Sequence, residues 1–382
     1  MKLLFAHDHV FYLDDMGDFY SPGKLNNTSF DRYFDSFSSV TIVSRFKKCN
    51  DQSLLSTFNK IDREGVNFIP FDNLSNLKNR FLKYNHYKKL IKSIINQHDG
   101  VVVRLPSEIG FLVAKCASEF NVPYATEVVA CPKDAMSGFA TLKSRLYSPI
   151  IVSEMKKAVF KAAGAIYVTS DFLQKRYPCS GFVSSASNVE ISESVDRKII
   201  DKISTKQCVD IALVGNLDSF HKGYDTVYEA AKLLDTGSRH YKFLLVGPGQ
   251  HFKRSFHTEN IVFSYPGAMK LDEVVNLLDS VDLYIQPSNQ EGLPRATIEA
   301  MSRGLPAIVS NAGGLPELID HNFVHEVGDH RMLATLICQL TNDDRVYSEQ
   351  SSKNTKTASQ FIRDNLKEIR ANFYADYALC LK

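Results

Sequence analysis

The segment Glu291-Gly-Leu-Pro-Arg-Ala-Thr-Ile-Glu299 places two carboxylates eight positions apart around a Gly-Leu-Pro bend. Pro294 suits the first position of a helix, where its missing N–H costs nothing, and Gly304 suits the end of that helix. Glu291 should therefore lie on the loop before the helix, and Glu299 one to two turns inside it. Because a helix start carries unpaired N–H groups and a positive dipole end, a phosphate can bind there between carboxylates that hold hydroxyl groups. The segment therefore predicts a nucleotide-sugar site.

The residues on either side of this segment predict a parallel α/β unit. Val281–Ser288 is typical of a short buried strand, and Ala307–Ser310 is typical of the next strand. Gly313–Leu318 then predicts a glycine turn that opens another helix. Since ligands bind at the carboxyl ends of strands in open parallel sheets, the loop that carries Glu291 lies where a ligand is expected.

The remainder of the chain alternates between strand and helix patterns in the same way. The first strand should end at Ala6 and be followed by a long loop from His7 to Asn27, with helices over Ser29–Phe37 and Glu108–Phe120. Such alternation predicts doubly wound parallel sheets. The other segments with strand character are Val40–Ser44, Gly100–Arg104, Asn121–Val129, Ala165–Thr169, Asp210–Gly215, Tyr241–Gly247 and Ile261–Ala268.

Composition sets broad limits on the function. A length of 382 residues suits two or three domains, and a net charge of +2 gives no general preference for nucleic acid. The seven cysteines are scattered and form no Cys-x-x-Cys pair, so zinc and disulfide interpretations are weak and a reducing cytoplasm is expected. No apolar run approaches the roughly 18 residues of a membrane span.

An ordered string of motifs carries a family resemblance. It consists of Pro287-Ser288, Glu291-Gly-Leu-Pro294, Glu299-Ala-Met301, Gly304-Leu-Pro306 and Gly313-Gly-Leu-Pro-Glu317. This string resembles the signature of the family 4 retaining glycosyltransferases, which have the GT-B fold. The resemblance implies two Rossmann-like doubly wound parallel-sheet domains facing a cleft, and a last helix that crosses back to the first domain. The expected domains are an acceptor-binding domain over residues 1–190, a nucleotide-sugar-binding domain over 191–360, and the crossing helix over 361–382.

The same resemblance assigns roles around the donor. Lys222 and Gly223 match the Lys-Gly pair whose lysine holds the diphosphate, whereas Asn216 stands where the family has an arginine. We expect Arg295 to compensate, and the alternative is that it pairs with a surface acid. Glu291 should bind the hydroxyls of the sugar and Glu299 those of the ribose. Backbone contacts to the donor are expected from Gly267, Ala268, Gly292, Leu293 and the adjoining Pro294.

Glu127 is a further candidate because it lies at the end of a predicted strand. The run Glu127-Val-Val-Ala-Cys-Pro132 resembles a subgroup that builds bacterial surface polysaccharide, such as O-antigen, capsule or lipopolysaccharide. Its carboxylate could accept a hydrogen bond from an acceptor hydroxyl and act in catalysis. The alternative is a buried glutamate that is paired locally.

A basic and aromatic stretch near the middle of the first domain has no acidic residue between Asn76 and Lys92. Such a face could contact anionic lipid, although an ordinary solvated helix would look the same. The residues concerned are Lys78, Arg80, Phe81, Lys83, Tyr84, His86, Tyr87, Lys88, Lys89 and Lys92.

The resemblance implies a retaining glycosyltransferase that moves a sugar from a nucleoside-diphosphate donor to a hydroxyl of a glycan. A UDP-sugar is expected in preference to a GDP-sugar. The acceptor is expected to be an undecaprenyl-diphosphate-linked intermediate, at the inner face of the cell membrane. The chain lacks an Asp-x-Asp motif, so no metal cofactor is expected. A nucleotide-sugar epimerase and a non-catalytic partner of a glycosyltransferase stay open as alternatives. A nicotinamide dehydrogenase is disfavoured because no Gly-x-Gly-x-x-Gly follows the first strand.

Overall fold

The structure is a computed structural model that describes residues 1–23, 25–71, 73, 84–137, 142–195, 202–237, 239–254 and 257–382. The chain divides into two compact units. The first consists of Met1–Asn188 together with Lys367–Lys382, and the second consists of Val189–Leu366. Each unit is built on its own sheet, so the α/β class with two parallel-sheet domains is confirmed.

The first unit has a mostly parallel sheet whose described strands run in the order β5-β3-β1-β6-β7-β8-β9. In addition, β2 pairs antiparallel with β1, and β4 pairs antiparallel with β2. Its central strands are near-continuous runs of Val, Ile, Leu and Ala, as expected for a sheet covered on both faces. The strands are β1 Lys2–Leu13, β2 Phe19–Ser21, β3 Ser39–Lys48, β4 Asn59–Ile61, β5 Val66–Phe71, β6 Gly100–Leu105, β7 Tyr124–Val128, β8 Gly164–Tyr167 and β9 Phe182–Ser185.

The second unit has a parallel sheet in the order β12-β11-β10-β13-β14-β15 among its described residues. Apolar side chains from both faces of this sheet and from the helices around it form one buried core. The strands are β10 Cys208–Val214, β11 His240–Val246, β12 Ile261–Gly267, β13 Leu283–Gln286, β14 Ala307–Ser310 and β15 Val324–His325.

Several of the described helices begin with side-chain caps such as Ser107, which accepts from the backbone N–H of Gly110. None of these helices is both long and apolar enough to cross a membrane. The helices are α1 Asn27–Asp31, α2 Gln52–Leu55, α3 Tyr84–Ile95, α4 Glu108–Glu119, α5 Pro132–Ser137, α6 Leu142–Phe160, α7 Phe172–Arg176, α8 Tyr224–Leu234, α9 Leu271–Ser280, α10 Arg295–Ser302, α11 His330–Asn342, α12 Asp344–Ala358 and α13 Arg363–Leu379.

The prediction of a long loop after Ala6 is wrong. β1 continues to Leu13, with an irregularity between Ala6 and Val10 that absorbs the polar residues His7-Asp8-His9. The strand resumes because Phe11 is fully buried and packs against the rings of Phe46 and Phe68, at centroid distances of 5.9 and 5.0 Å.

Two predicted helices are shorter in the structure. Helix α1 ends at Asp31, and hydrogen-bonded turns carry the chain on to Phe37. The Gly313-Gly314 turn opens only a short 3₁₀ turn, Leu315–Glu317. In both places the residues favour helical turns. The helical run is too short to offset the cost of forming its first hydrogen-bonded turn, so no longer α-helix forms.

The basic stretch is only partly described. Lys78, Arg80, Phe81 and Lys83 lie outside the described residues. On α3, Lys88 forms an ion pair with Glu119 at 2.5 Å, and the Lys92 ammonium lies 4.9 Å from the centre of the Phe120 ring. Tyr87 is buried against Phe71. These contacts explain part of the stretch by packing within the first unit.

Candidate functional site

The order of strands in the second sheet reverses between β10 and β13. From β10 the chain proceeds outward to β11 and β12, whereas β13 leads to β14 and β15 on the other side. Ligands bind outside the carboxyl ends of the strands at such a switch point. The segments that follow β10 and β13 carry Lys222 and Glu291, so the two candidates come from the two strands that flank this point.

Lys222 and Glu291 form a direct ion pair. The Lys222 ammonium nitrogen lies 2.5 Å from Oε1 of Glu291, and the side chains are 22% and 13% exposed. The stem of Lys222 lies over Gly215, where an added Cβ would be 3.0 Å from three of its carbons. The pair thus joins residues 69 positions apart at one place on the carboxyl edge of the sheet, while solvent still reaches both groups.

Gly223 is what allows these two segments to approach. Its φ of +71° lies in the left-handed region, and an added Cβ would lie 1.9 Å from the carbonyl oxygen of Pro287. Asn289 completes the junction, because its backbone N–H donates to the carbonyl of His221 at 2.8 Å. The Lys-Gly pair is therefore explained by close backbone contact as well as by charge.

A chain of buried hydrogen bonds leads to Glu291 from the interior. The hydroxyl of Tyr284 donates to Oε1 of Gln286 at 2.6 Å. The amide of Gln286 donates to the Ser288 hydroxyl at 2.8 Å, and that hydroxyl donates to Oε1 of Glu291 at 3.1 Å. Both Ser288 and Lys222 therefore converge on Oε1, and within the described residues Oε2 has no hydrogen-bond partner. The arrangement fixes the carboxylate and leaves one oxygen for a ligand.

The loop that begins with Glu291 is also held from its other side. Gly313 has a φ of +59°, and a Cβ there would lie 1.8 Å from the carbonyl oxygen of Glu291. The N–H of Gly314 donates to the carbonyl of Gly292 at 2.9 Å. At Gly292 itself a Cβ would meet nothing within 4 Å. The glycine turn after β14 therefore holds the loop, and open space lies beside Gly292.

Helix α10 begins at Arg295, so Pro294 is the residue just before the helix and not its first residue as predicted. Pro294 offers no side-chain hydrogen bond to this helix start, so within the part of the chain that the structure describes the first backbone N–H groups remain for a ligand. Glu299 is buried in the second turn, and Arg295 lies 3.4 Å from its Oε1 and 3.5 Å from the carbonyl of Glu190. Arg295 therefore pairs with the predicted ribose ligand, and not with a surface acid.

The remaining donor candidates lie at the carboxyl ends of β10 and β12. Asn216 is exposed, and its side-chain oxygen accepts from the N–H of Asp218 at 2.8 Å, which makes a local Asx turn. Gly267 ends β12, and a Cβ there would meet nothing within 4 Å. Ala268 follows directly and is exposed. The backbone at Gly267 is therefore open to an approaching group.

Glu127 lies in the first unit at the carboxyl end of β7 and is 3% exposed. Its Oε1 accepts from Tyr33 at 2.7 Å and from the hydroxyl of Tyr374, and its Oε2 accepts from Arg104 at 2.8 Å. Burial raises the pKa of this carboxyl, but Arg104, Arg32 and the two tyrosine hydroxyls outweigh burial and lower the pKa to about 2. Both oxygens of Glu127 are thus engaged by protein groups.

Sequence reasoning missed Tyr284, Gln286 and Ser288. A signal for them was present, since three polar residues alternate along an otherwise buried strand and its end just before Glu291. It also missed Arg104, whose partner Glu127 follows 23 positions later and becomes its neighbour only through the parallel register of β6 and β7.

Comparisons with known proteins concern the sequence and the fold of the chain. Residues 209–343 match the family model described as "Glycosyl transferases group 1". Protein CapJ of Staphylococcus aureus is 29% identical over 99% of this chain and 96% of its own length. The amylovoran biosynthesis glycosyltransferase AmsK of Erwinia amylovora is 28% identical over 32% of this chain and 34% of its own length.

Among solved structures, Alr3699/HepE of Anabaena in complex with UDP superposes with a TM-score of 0.61 and 17% identity, over 98% of this chain and all of that one. At this level of identity the likeness concerns the fold. The match over residues 209–343 covers β10 to the end of α11, and hence every donor candidate of the second unit. Taken together, the comparisons support a glycosyltransferase with the GT-B fold.

Proposed function

We propose that this protein is a retaining, family 4 glycosyltransferase that moves a sugar from a UDP-sugar, in preference to a GDP-sugar, to a glycan hydroxyl. The proposed acceptor is a lipid-linked intermediate of bacterial polysaccharide biosynthesis. The observation that carries the proposal is the Lys222–Glu291 pair at the switch point of the second sheet, beside the uncapped start of α10. The names of the relatives support it, since AmsK is a biosynthesis glycosyltransferase and HepE was solved with UDP.

Lys222 would hold the diphosphate of the donor. An ammonium group has three N–H donors, so it can contact phosphate oxygens and still hold Glu291. The backbone N–H groups at the start of α10 add positive charge at the same place. Because negative charge grows on the diphosphate as it leaves, fixed donors of this kind lower the barrier to transfer.

Glu291 would hold the sugar through Oε2, while Ser288 and Lys222 keep Oε1 in place. Glu299 would bind the ribose, in exchange for its contact with Arg295. That exchange frees the guanidinium of Arg295, and we propose that it then takes over part of the role of the arginine missing at Asn216. Retention of configuration would follow if the acceptor attacks from the face that the diphosphate leaves, with a phosphate oxygen taking the proton.

Glu127 would act through Arg104. Since both of its oxygens already have protein partners, its carboxylate holds the guanidinium of Arg104 at the end of β6. This is the role of a positioning residue, whereas the direct contact with an acceptor hydroxyl remains an open prediction.

The test is donor binding followed by turnover. Thermal shift with UDP- and GDP-sugars should show a higher Tm with a UDP-sugar, because ligand binding stabilises the folded state. Lys222→Met should then abolish the shift and lower kcat by about 100-fold or more, as for loss of a charged group at a leaving diphosphate. Lys206→Met is the matched control, because Lys206 forms an ion pair with Asp282 at 2.6 Å at the amino ends of β10 and β13.

The possible results separate the alternatives. Equal turnover by Lys222→Met and Lys206→Met would refute the assignment of Lys222. The absence of a shift with every nucleotide sugar would favour a non-catalytic partner protein, and conversion of the donor sugar without an acceptor would favour an epimerase.

A further inference from the structure

The first sheet has a switch point of its own, between β1 and β6. On one side β1 leads to β3 and β5, and on the other side β6 leads to β7, β8 and β9. The irregularity in β1 lies at this point, because Ala6 pairs with Val43 and Val10 already pairs with Arg45. Irregularities of this kind are common next to active sites, where they turn side chains in new directions. The carboxyl edge of this sheet is therefore a second place where a ligand is expected.

Two arginines lie at this edge with most of their donors unused. The Nε of Arg45 donates to the carbonyl of Asp8 at 2.7 Å, and Nη1 of Arg104 donates to Glu127 at 2.8 Å. A guanidinium has five N–H donors, and within the described residues the other N–H groups of these two side chains have no partner. Both side chains are partly exposed, so the remaining donors can reach a ligand.

The acidic groups nearby are already engaged. The carboxylate of Asp8 accepts from the backbone N–H groups of Glu108 and Ile109, at 2.5 and 3.3 Å, and so caps the start of α4. Glu127 is held by Arg104 and by two tyrosine hydroxyls. These carboxylates therefore cannot turn toward the arginines' remaining donors without breaking contacts of their own.

Two histidines complete the edge as neutral donors or acceptors. The N–H of His9 donates to Nδ1 of His7 at 2.9 Å, so the proton of the His7 ring lies on Nε2. Nε2 of His9 lies 2.9 Å from the hydroxyl of Ser21. Burial, with the arginines Arg104 and Arg45 as further causes, lowers the pKa of His7 to about 3 and of His9 to about 4.

We propose that this edge, formed by His7, His9, Arg45 and Arg104, binds an anionic group of the acceptor, either a phosphate or a carboxylate. The proposal rests on the proposed function, because it names the class of acceptor that the transferase uses. Fork-shaped guanidinium groups suit the paired oxygens of phosphates and carboxylates. A diphosphate-linked carrier and an acidic sugar residue share this chemistry.

The experiment uses the full chain saturated with UDP, so that a second anion must bind elsewhere than at the donor site. Pyrophosphate, glucuronate and glucose are titrated by calorimetry into the wild type, Arg45→Met and Arg63→Met. Arg63 is the matched control, because it belongs to the same unit and pairs with Asp31 at 2.6 Å, before the start of β5. Arg45 is preferred to Arg104 as the test, because removal of Arg104 would leave Glu127 buried without its cation.

The expected result is that pyrophosphate or glucuronate binds the wild type and glucose does not. Arg45→Met should weaken that binding by about tenfold or more, as for loss of a charged hydrogen bond, whereas Arg63→Met should bind like the wild type. Tighter binding of pyrophosphate would identify a diphosphate-linked acceptor, and tighter binding of glucuronate would identify an acidic glycan.

Three results would overturn the proposal. They are the absence of anion binding at millimolar concentration, equal binding by the two arginine variants, and a loss of UDP affinity in Arg45→Met, which would assign the edge to the donor. UDP binding by the wild type is measured in the same series. Its presence would keep the proposed function intact even if the anion site failed.

Discussion

Replacing Glu127 with Gln should remove an acid-sensitive part of the free energy of unfolding. The carboxyl of Glu127 has a pKa of about 2 in the folded protein, against an ordinary value of 4.5. A group whose pKa is lowered by folding stabilises the protein above its unfolded pKa, and this contribution is lost as the pH falls toward the folded value. The relevant window therefore lies between about pH 4.5 and pH 2.

The size of the effect follows from the shift. Each pKa unit corresponds to about 1.4 kcal/mol, so the lowered pKa of Glu127 contributes about 3 kcal/mol to the free energy of unfolding at neutral pH. About 1 kcal/mol of this contribution is lost by pH 3.5. At neutral pH the variant should be less stable by about 3 kcal/mol, because the partly buried charge of Arg104 loses the carboxylate that pairs with it. The gap between wild type and variant should narrow as the solution becomes acidic.

The assay is urea unfolding followed by circular dichroism at several values between pH 7 and pH 3.5, because the chain contains no tryptophan. The exposed Glu64 provides a matched control, and Glu64→Gln should follow the wild type throughout. His7 and His9 also favour unfolding in acid, since their lowered pKa values leave them neutral in the folded state, but they are present in every variant. A gap that is constant with pH would refute the reasoning.

The same variant decides whether Glu127 touches the acceptor. If Glu127 only positions Arg104, the folded variant at neutral pH should show a raised KM for the acceptor and a nearly normal kcat. A fall in kcat by about 100-fold or more, typical of a lost general base, would instead place the carboxylate in the chemistry.

Three further predictions concern the second unit and the chemistry. Gly223→Ala should lower the free energy of unfolding by about 2 kcal/mol or more and abolish donor binding, because it places a side chain at a left-handed residue and against the backbone of Pro287. Gly292→Ala is the control and should keep normal stability, because a Cβ there meets nothing within 4 Å; equal urea midpoints for the two variants would contradict the prediction. Ser288→Ala should lower the free energy of unfolding by about 1–3 kcal/mol, because the buried amide of Gln286 loses its acceptor. It should also raise KM for the donor, because Glu291 is held less firmly; an unchanged KM would show that the hydrogen-bond chain does not matter for binding. Treatment with EDTA should leave the rate of transfer unchanged, because Lys222 and the start of α10 carry the diphosphate in the proposed mechanism, and restoration of a lost rate by Mg²⁺ would refute that mechanism.

Local sequence rules predicted the elements around the donor site well. The strand Ala307–Ser310 is confirmed at both ends, and Glu291 and Glu299 lie before and within α10 as expected. These features depend on short-range causes, namely the run of buried apolar residues in a strand and the position of Pro294 and Gly304 at the ends of a helix. The prediction failed at β1, where His7-Asp8-His9 interrupts the apolar run, but pairing with β3 carries the strand onward.

By itself, the sequence determined the α/β class, the loop–helix segment that carries the two glutamates, and the resemblance that points to a nucleotide-sugar. The tertiary structure decided which distant groups meet: Lys222 with Glu291, and Arg104 with Glu127. It also decided that Arg45 and His7 share an edge with Arg104. The physical reason is that period and capping act over a few residues, whereas these partners are brought together by the order and register of parallel strands, which depend on how whole sheets bury their apolar faces.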